Sequence, residues 1–121
     1  MGHKPYQLPP YQCLSVTGIS SSQTSVPTNI FNKDVAGIDV AWTGTLAGTF
    51  TVQCSNTYNP NGAPGNGNWN TVPTTPSVIA STGGGNGFIQ VSALAAAWLQ
   101  LVFTYTSGSG DITATITGKG F

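Results

Sequence analysis

Apolar and polar positions alternate along most of the chain. In Thr49–Ser55, Phe50, Val52 and Cys54 fall on one side, and Thr49, Thr51, Gln53 and Ser55 on the other. Val35–Trp42 sets Ile38, Val40 and Trp42 against Asp39 and Ala41. Trp98–Thr106 sets Leu99, Leu101, Phe103 and Tyr105 against Trp98, Gln100 and Thr104, and Asp111–Thr117 sets Ile112, Ala114 and Ile116 against three threonines. A period of two puts successive side chains on opposite faces of a strand, so these segments read as half-buried strands of antiparallel sheets. Shorter runs at Leu14–Val16, Asn29–Phe31, Ser77–Ala80 and Phe88–Val91 bring the expected total to about seven or eight strands. Phe50, Val52, Leu101, Phe103, Ile112 and Ile116 are the expected core, with Trp42 beside them.

Turn-forming residues punctuate the strands. Thr43–Gly48, Tyr58–Asn70 and Gly108–Gly110 read as turns or loops, and Gly83–Gly87 as a hairpin tip between Ser77–Ala80 and Phe88–Val91. Only Ser92–Ala97 favours a helix, and with Ser92 as its cap it supports about one turn. No helix is long enough for a βαβ crossover. The expected fold is therefore all-β, an antiparallel β-sandwich or jelly roll, and the alternation leaves strand order open.

The first twelve residues, MGHKPYQLPPYQ, differ from the rest. Pro5, Pro9 and Pro10 fix φ and favour extended backbone before them. Residues 1–12 read as an extended arm and residues 13–121 as a single β-sandwich domain. The arm precedes the first alternating strand, and its prolines exclude it from a central ladder, so it is expected to be dispensable for folding. Tyr6, Leu8 and Tyr11 are its apolar anchors for a partner.

Composition excludes several kinds of chemistry. Charged residues make up 5% of the chain, against about 25% in an average soluble protein. Lys4, Lys33 and Lys119 balance Asp34, Asp39 and Asp111, and His3 is the sole imidazole. Three scattered lysines cannot neutralise a phosphate backbone or hold an anionic bilayer, so no nucleic-acid or membrane partner is expected. No apolar run reaches the roughly 18 residues of a spanning helix, and no secretory h-region is visible. A triad needs a base, and glycoside hydrolysis needs paired carboxylates; His3 sits in the arm and the three aspartates suit turns and edges, so no catalytic residues are expected. Gly83–Gly87 lacks the Lys-Ser/Thr and helix of a phosphate-binding loop. Cys13 and Cys54 have no neighbouring cysteine or histidine, so neither a metal nor any other cofactor is expected. They are expected to be reduced and buried, although one disulfide between them stays open.

The aromatic residues leave one binding reading. Tyr58, Asn68 and Trp69 lie in or beside the Asn/Gly-rich loop and together suit a carbohydrate platform. The competing reading has Trp69 opening a strand and plugging one end of the sandwich. Trp98, opposite the Leu99/Leu101 face, is expected either under a neighbouring loop or at a subunit contact. Outer faces of Thr, Ser, Gln and Asn with almost no charge offer little electrostatic protection against association, which suits a protein packed in a large assembly.

Asp34–Asn56 (DVAGIDVAWTGTLAGTFTVQCSN), then Asn68–Trp69, then Trp98–Gly120 (WLQLVFTYTSGSGDITATITGKG) resemble a group of small β-rich proteins encoded in tailed-bacteriophage structural gene clusters. The shared pattern is a W-T-G-T-x-x-G-T-F hairpin, a loop ending in Asn-Trp, and a closing L-V-F-T-Y-T-S-G-S-G hairpin. The resemblance implies a non-enzymatic role in the virion and carries no functional residues with it. Within it, the expected function is a capsid decoration or cement protein that binds assembled major capsid protein or other virion proteins. The alternatives are a carbohydrate-binding adhesin module on a tail or head fibre, and a tail or connector component. A homo-oligomer is expected, with a trimer favoured.

Overall fold

The computed structural model describes residues 7–30, 35–72, 78–92 and 96–119. Within them the chain forms ten strands and no helix: β1 (Gln7–Ile19), β2 (Gln23–Thr24), β3 (Thr28–Asn29), β4 (Val35–Trp42), β5 (Ala47–Ser55), β6 (Asn70–Val72), β7 (Val78–Ala80), β8 (Gly85–Ser92), β9 (Trp98–Ser107) and β10 (Gly110–Lys119). All ladders are antiparallel and fall into two sheets. One runs β1-β10-β4-β8; the other runs β2-β9-β5-β6, with β3 also on β9 and β7 also on β5.

The count is ten rather than seven or eight because two edge strands are broken. β2 and β3 pair with successive stretches of β9, from Gln23 opposite Phe103 to Asn29 opposite Trp98. Pro27 lies in the break, where an absent N–H costs least, at the rim of a sheet. β6 and β7 likewise take successive stretches of β5. Merging each pair gives two four-stranded sheets ordered 1-8-3-6 and 2-7-4-5. First pairs with last, second with seventh, third with sixth and fourth with fifth. That is a jelly roll, an antiparallel ribbon wrapped into a sandwich.

The alternation places the core as expected. Phe50, Val52, Leu101, Phe103, Ile112 and Ile116 are all buried, and Trp42, Ile38, Val40 and Ala114 join them. The rings of Trp42, Phe50 and Phe103 pack in series, with centroids 5.8 and 5.0 Å apart. Thr113 and Asp39 face outward, as the pattern requires. Ser55 departs from it: expected outside, it is buried and uses its hydroxyl locally.

The expected hairpins are corrected. β4 and β5 lie in different sheets, as do β9 and β10, so Thr43–Leu46 and Gly108–Ser109 are corners that cross the sandwich. The two corners bind each other. Thr45 N–H donates to the Ser109 carbonyl at 2.9 Å and Thr43 N–H to the Asp111 carbonyl at 3.1 Å. The Thr45 and Thr43 hydroxyls in turn accept from the N–H groups of Ser109 and Asp111, both at 3.1 Å. β7 and β8 also go to opposite sheets, so Gly83–Gly87 is not the tip of a hairpin. Gly85 has a packing role instead, since an added Cβ would stand 2.9 Å from the Trp42 ring. The expected helical turn at Ser92–Ala97 lies partly outside the described residues. Ser92 ends β8 opposite Val35, and Ala96 and Ala97 are not helical.

β1 begins at Gln7, well before Leu14, where the alternation starts. The Gln7–Gln12 part of the segment read as an arm therefore pairs with the domain's own β10, Gln7 opposite Lys119 and Gln12 opposite Thr115. The prolines act as anticipated in one respect, because β1 is an edge strand. Its register slips between Leu8 and Tyr11, where Pro9 and Pro10 cannot donate to the ladder. A second slip between Gln12 and Leu14 lets the consecutive Cys13 and Leu14 both be buried.

Both cysteines are free thiols, Cys13 buried and Cys54 half-buried, so only Cys13 fully meets the expectation. Cys13 lies where the two sheets meet, its carbonyl accepting from Val26 N–H at 3.1 Å. Burial pushes its thiol above the ordinary 9.0, offset in part by hydrogen bonds from its own backbone and from Ser25. A raised thiol pKa means the native state holds the proton more tightly than the unfolded chain. The resulting stability is intact below that ordinary value and is lost as pH rises through it toward the native one. The melting temperature should therefore fall more steeply above pH 9.0 in the wild type than in Cys13→Ala. Parallel curves would show that the buried thiol is not linked to folding.

Candidate functional site

Loop 56–69 joins β5 to β6 at the end of the sandwich opposite the crossed corners. Its connection could be short, because Cys54 and Asn70 already face each other in the ladder. The loop instead folds on itself through its polar residues. The buried Ser55 hydroxyl accepts from Thr57 N–H at 3.1 Å, and the Thr57 hydroxyl accepts from Asn68 N–H at 2.7 Å. Asn66 is the staple: its amide oxygen takes the Asn59 N–H at 2.8 Å, and its amide nitrogen donates to the carbonyls of Asn59 and Ala63 at 2.8 and 2.6 Å. Asn59 caps the next turn, accepting from Asn61 N–H at 2.9 Å.

This scaffold presents two half-buried aromatic rings. Trp69 Nε1–H donates to the Asn66 carbonyl at 2.9 Å, which fixes the indole. Tyr58 lies 5.6 Å from Trp69 and meets Trp98 edge-on at 4.9 Å, centroid to centroid. Gly67 has a positive φ of 98°, and an added Cβ would stand 2.9 Å from Tyr58 Cα, so glycine lets the two sides of the loop close around the tyrosine. Trp98 is thus covered by the loop, the first of the two roles expected for it.

Beside the rings lies a cleft of about 430 Å³, bounded by Tyr58, Trp69 and Pro64 of the loop, Thr24 and Pro27 of the broken edge strand, and Gln100 of β9. Gln100 projects from the sheet's outer face and donates to the Gln53 side-chain oxygen at 2.8 Å. The structure brings the expected Tyr58 and Trp69 together here. Asn68 contributes its backbone to the loop rather than a side chain to the cleft. Gln100, Thr24 and Pro27 are additions that sequence reasoning missed. The outward phase of Gln100 beside Trp98 was the one available signal.

The other expected contact residues lie elsewhere. Tyr6 is outside the described residues, Leu8 stands opposite Gly118 on β1, and Tyr11 is 42% exposed on the same edge strand. A second cleft, of about 390 Å³, lies on the outer face of the β1-β10-β4-β8 sheet and contains Asp39, Asn86, Phe88 and Thr115. Asp111 has a structural role, its carboxylate accepting from Gly18 N–H at 3.0 Å. Among the described residues no three His, Cys, Asp or Glu side chains are grouped to hold a metal ion.

The fold and this site define an all-β jelly-roll protein with an uncharged aromatic cleft. No protein-family model matches the sequence, and no curated protein sequence matches it. Among solved structures, the SPBc2 prophage-derived protein YomS shares the fold with a TM-score of 0.58 at 11% identity, over 99% of this chain and 98% of that one. A chain of the Bacillus endospore appendages, a family of disulfide-linked pili, aligns at a TM-score of 0.44 and 14% identity, over 98% of this chain and 93% of its own. The likeness to YomS is one of fold.

Proposed function

We propose that the chain is a non-enzymatic structural protein of a tailed-phage particle, a decoration protein that binds assembled coat protein at the capsid surface. The observation that carries this reading is the exterior. Among the described side chains only Asp39 and Asp111 are charged, and the outer face of β10 is a row of threonines. Phe88 and Tyr11 are 44% and 42% exposed on the same sheet. Such a surface is weakly protected against association and suits a protein that works against neighbours. The sequence resemblance and the prophage origin of YomS point the same way. In this reading Tyr11, with Tyr6 and Leu8, anchors the edge strand to coat protein, and the working unit is a homo-oligomer, with a trimer favoured.

Co-sedimentation with empty capsids tests it. The protein should saturate capsids at a fixed copy number, and moderate salt should leave binding nearly unchanged because few ion pairs can form. Tyr11→Ala should weaken binding about tenfold, as loss of an interface tyrosine does, without lowering the melting temperature. Binding only to tails, or only to host cells, would replace this reading with one of its alternatives.

A further inference from the structure

We infer that the cleft between loop 56–69 and the broken edge strand is a binding site for a neutral oligosaccharide. The site stands whether or not the protein decorates capsids. Its volume of about 430 Å³ lies in the range of small-ligand sites, roughly 300–1,000 Å³. The lining combines the rings of Tyr58 and Trp69, the apolar faces of Pro27 and Pro64, and the polar groups of Thr24 and Gln100. No carboxylate, lysine or histidine is among them. A charged ligand would shed hydration there without a counter-charge, and a wholly apolar one would cover the amide and hydroxyl without satisfying them. A sugar ring answers both features. Its C–H face packs on the negative face of an aromatic ring, while its hydroxyls hydrogen-bond around the rim. Gln100 gives one amide N–H to Gln53, and an amide has a second N–H and a carbonyl oxygen for a sugar hydroxyl.

The site is also preorganised. The Asn66 staple, the Trp69–Asn66 bond and the edge-on contact between Tyr58 and Trp98 hold the platform before any ligand arrives. Little side-chain freedom then remains to be lost on binding. The connection itself argues for a use: about 14 residues span a gap that a tight turn would close, and loops of that length inside a compact domain are commonly functional.

The test titrates the full chain with soluble neutral oligomers of glucose, galactose and N-acetylglucosamine, and with anionic oligogalacturonate and a proline-rich peptide as controls. Tryptophan fluorescence and calorimetry follow binding. At least one neutral oligomer should bind saturably and shift the tryptophan emission. Trp69→Ala and Gln100→Ala should each weaken it at least tenfold. Because Trp69 also packs against Tyr58, Gln100→Ala is the cleaner variant; it loses only its bond to Gln53, so its melting temperature should stay within a few degrees of wild type and its capsid binding should be kept. The inference is overturned if no neutral oligomer binds, if binding ignores Gln100→Ala, or if oligogalacturonate or the peptide binds more tightly. Loss of capsid binding in Gln100→Ala would likewise overturn it, by making the cleft a protein contact.

Discussion

Truncating Phe103 to Ala should lower stability by about 3–5 kcal/mol, the cost of removing a fully buried aromatic ring and leaving a cavity. Phe103 is completely inaccessible, and its ring is one of three that span the sandwich from Trp42 through Phe50. Relaxation is limited because the neighbours belong to strands paired on both sides: β9 lies between β5 and the β2/β3 edge. In a domain whose whole stability is of order 5–15 kcal/mol, such a loss lowers the melting temperature by roughly 10–20 °C. Val102→Ala is the control, since its half-exposed side chain leaves the same strand on the opposite face. It should cost under about 1 kcal/mol. Equal losses at 102 and 103 in urea denaturation would mean that the inward face of β9 has been misassigned.

That inward face was legible because a two-residue period reports burial directly. Partnership was not. Alternation says which face of a strand meets the core but nothing about which strand lies beside it. In a jelly roll most consecutive strands switch sheets, and the corner between them uses the same Gly, Ser and Thr as a hairpin turn. WTGTLAGTF and SGSG therefore read as two separate hairpins, whereas Thr43 and Thr45 pair with Ser109 and Asp111 across the end of the sandwich. The same ambiguity joined Ser77–Ala80 to Phe88–Val91 across the glycine tract, although β7 and β8 lie in opposite sheets. Ser92 carries a different conflict: the alanines after it favour helix locally, yet Ser92 itself is held in the ladder opposite Val35 rather than serving as a cap.

The site divides along similar lines. Tyr58 and Trp69 stood out as large rings in a loop otherwise made of Asn, Gly and Pro. Gln100 and Pro27 did not, because nothing local marks them; they reach the cleft only when β9 and the broken edge strand are laid beside β5. Of the two roles expected for Trp98, the edge-on contact with the Tyr58 ring supplies the neighbouring loop. What the sequence supplied was thus the platform, and what the topology supplied was the polar wall opposite it.

The arm is where sequence and structure differ with the largest consequence. A chain beginning at Cys13 should be less stable than the full protein by about 2–4 kcal/mol, the net worth of several ladder hydrogen bonds at roughly 0.5–1.5 kcal/mol each. Residues 7–12 pair with Thr115–Lys119, so their removal leaves the end of β10 unpaired on one side. β10 then presents an open edge in place of a proline-interrupted one, and the truncated protein should also self-associate more readily. Cys13 and Leu14 stay in place and keep the core beneath them sealed, so the fold should survive. A chain beginning at Gln7 retains the whole of β1 and is the reference for the Cys13 chain in urea denaturation. Equal stability of the Cys13 and Gln7 chains would show that the outer half of β1 adds nothing to the domain. Residues 1–12 would then be free to serve entirely as a contact for coat protein.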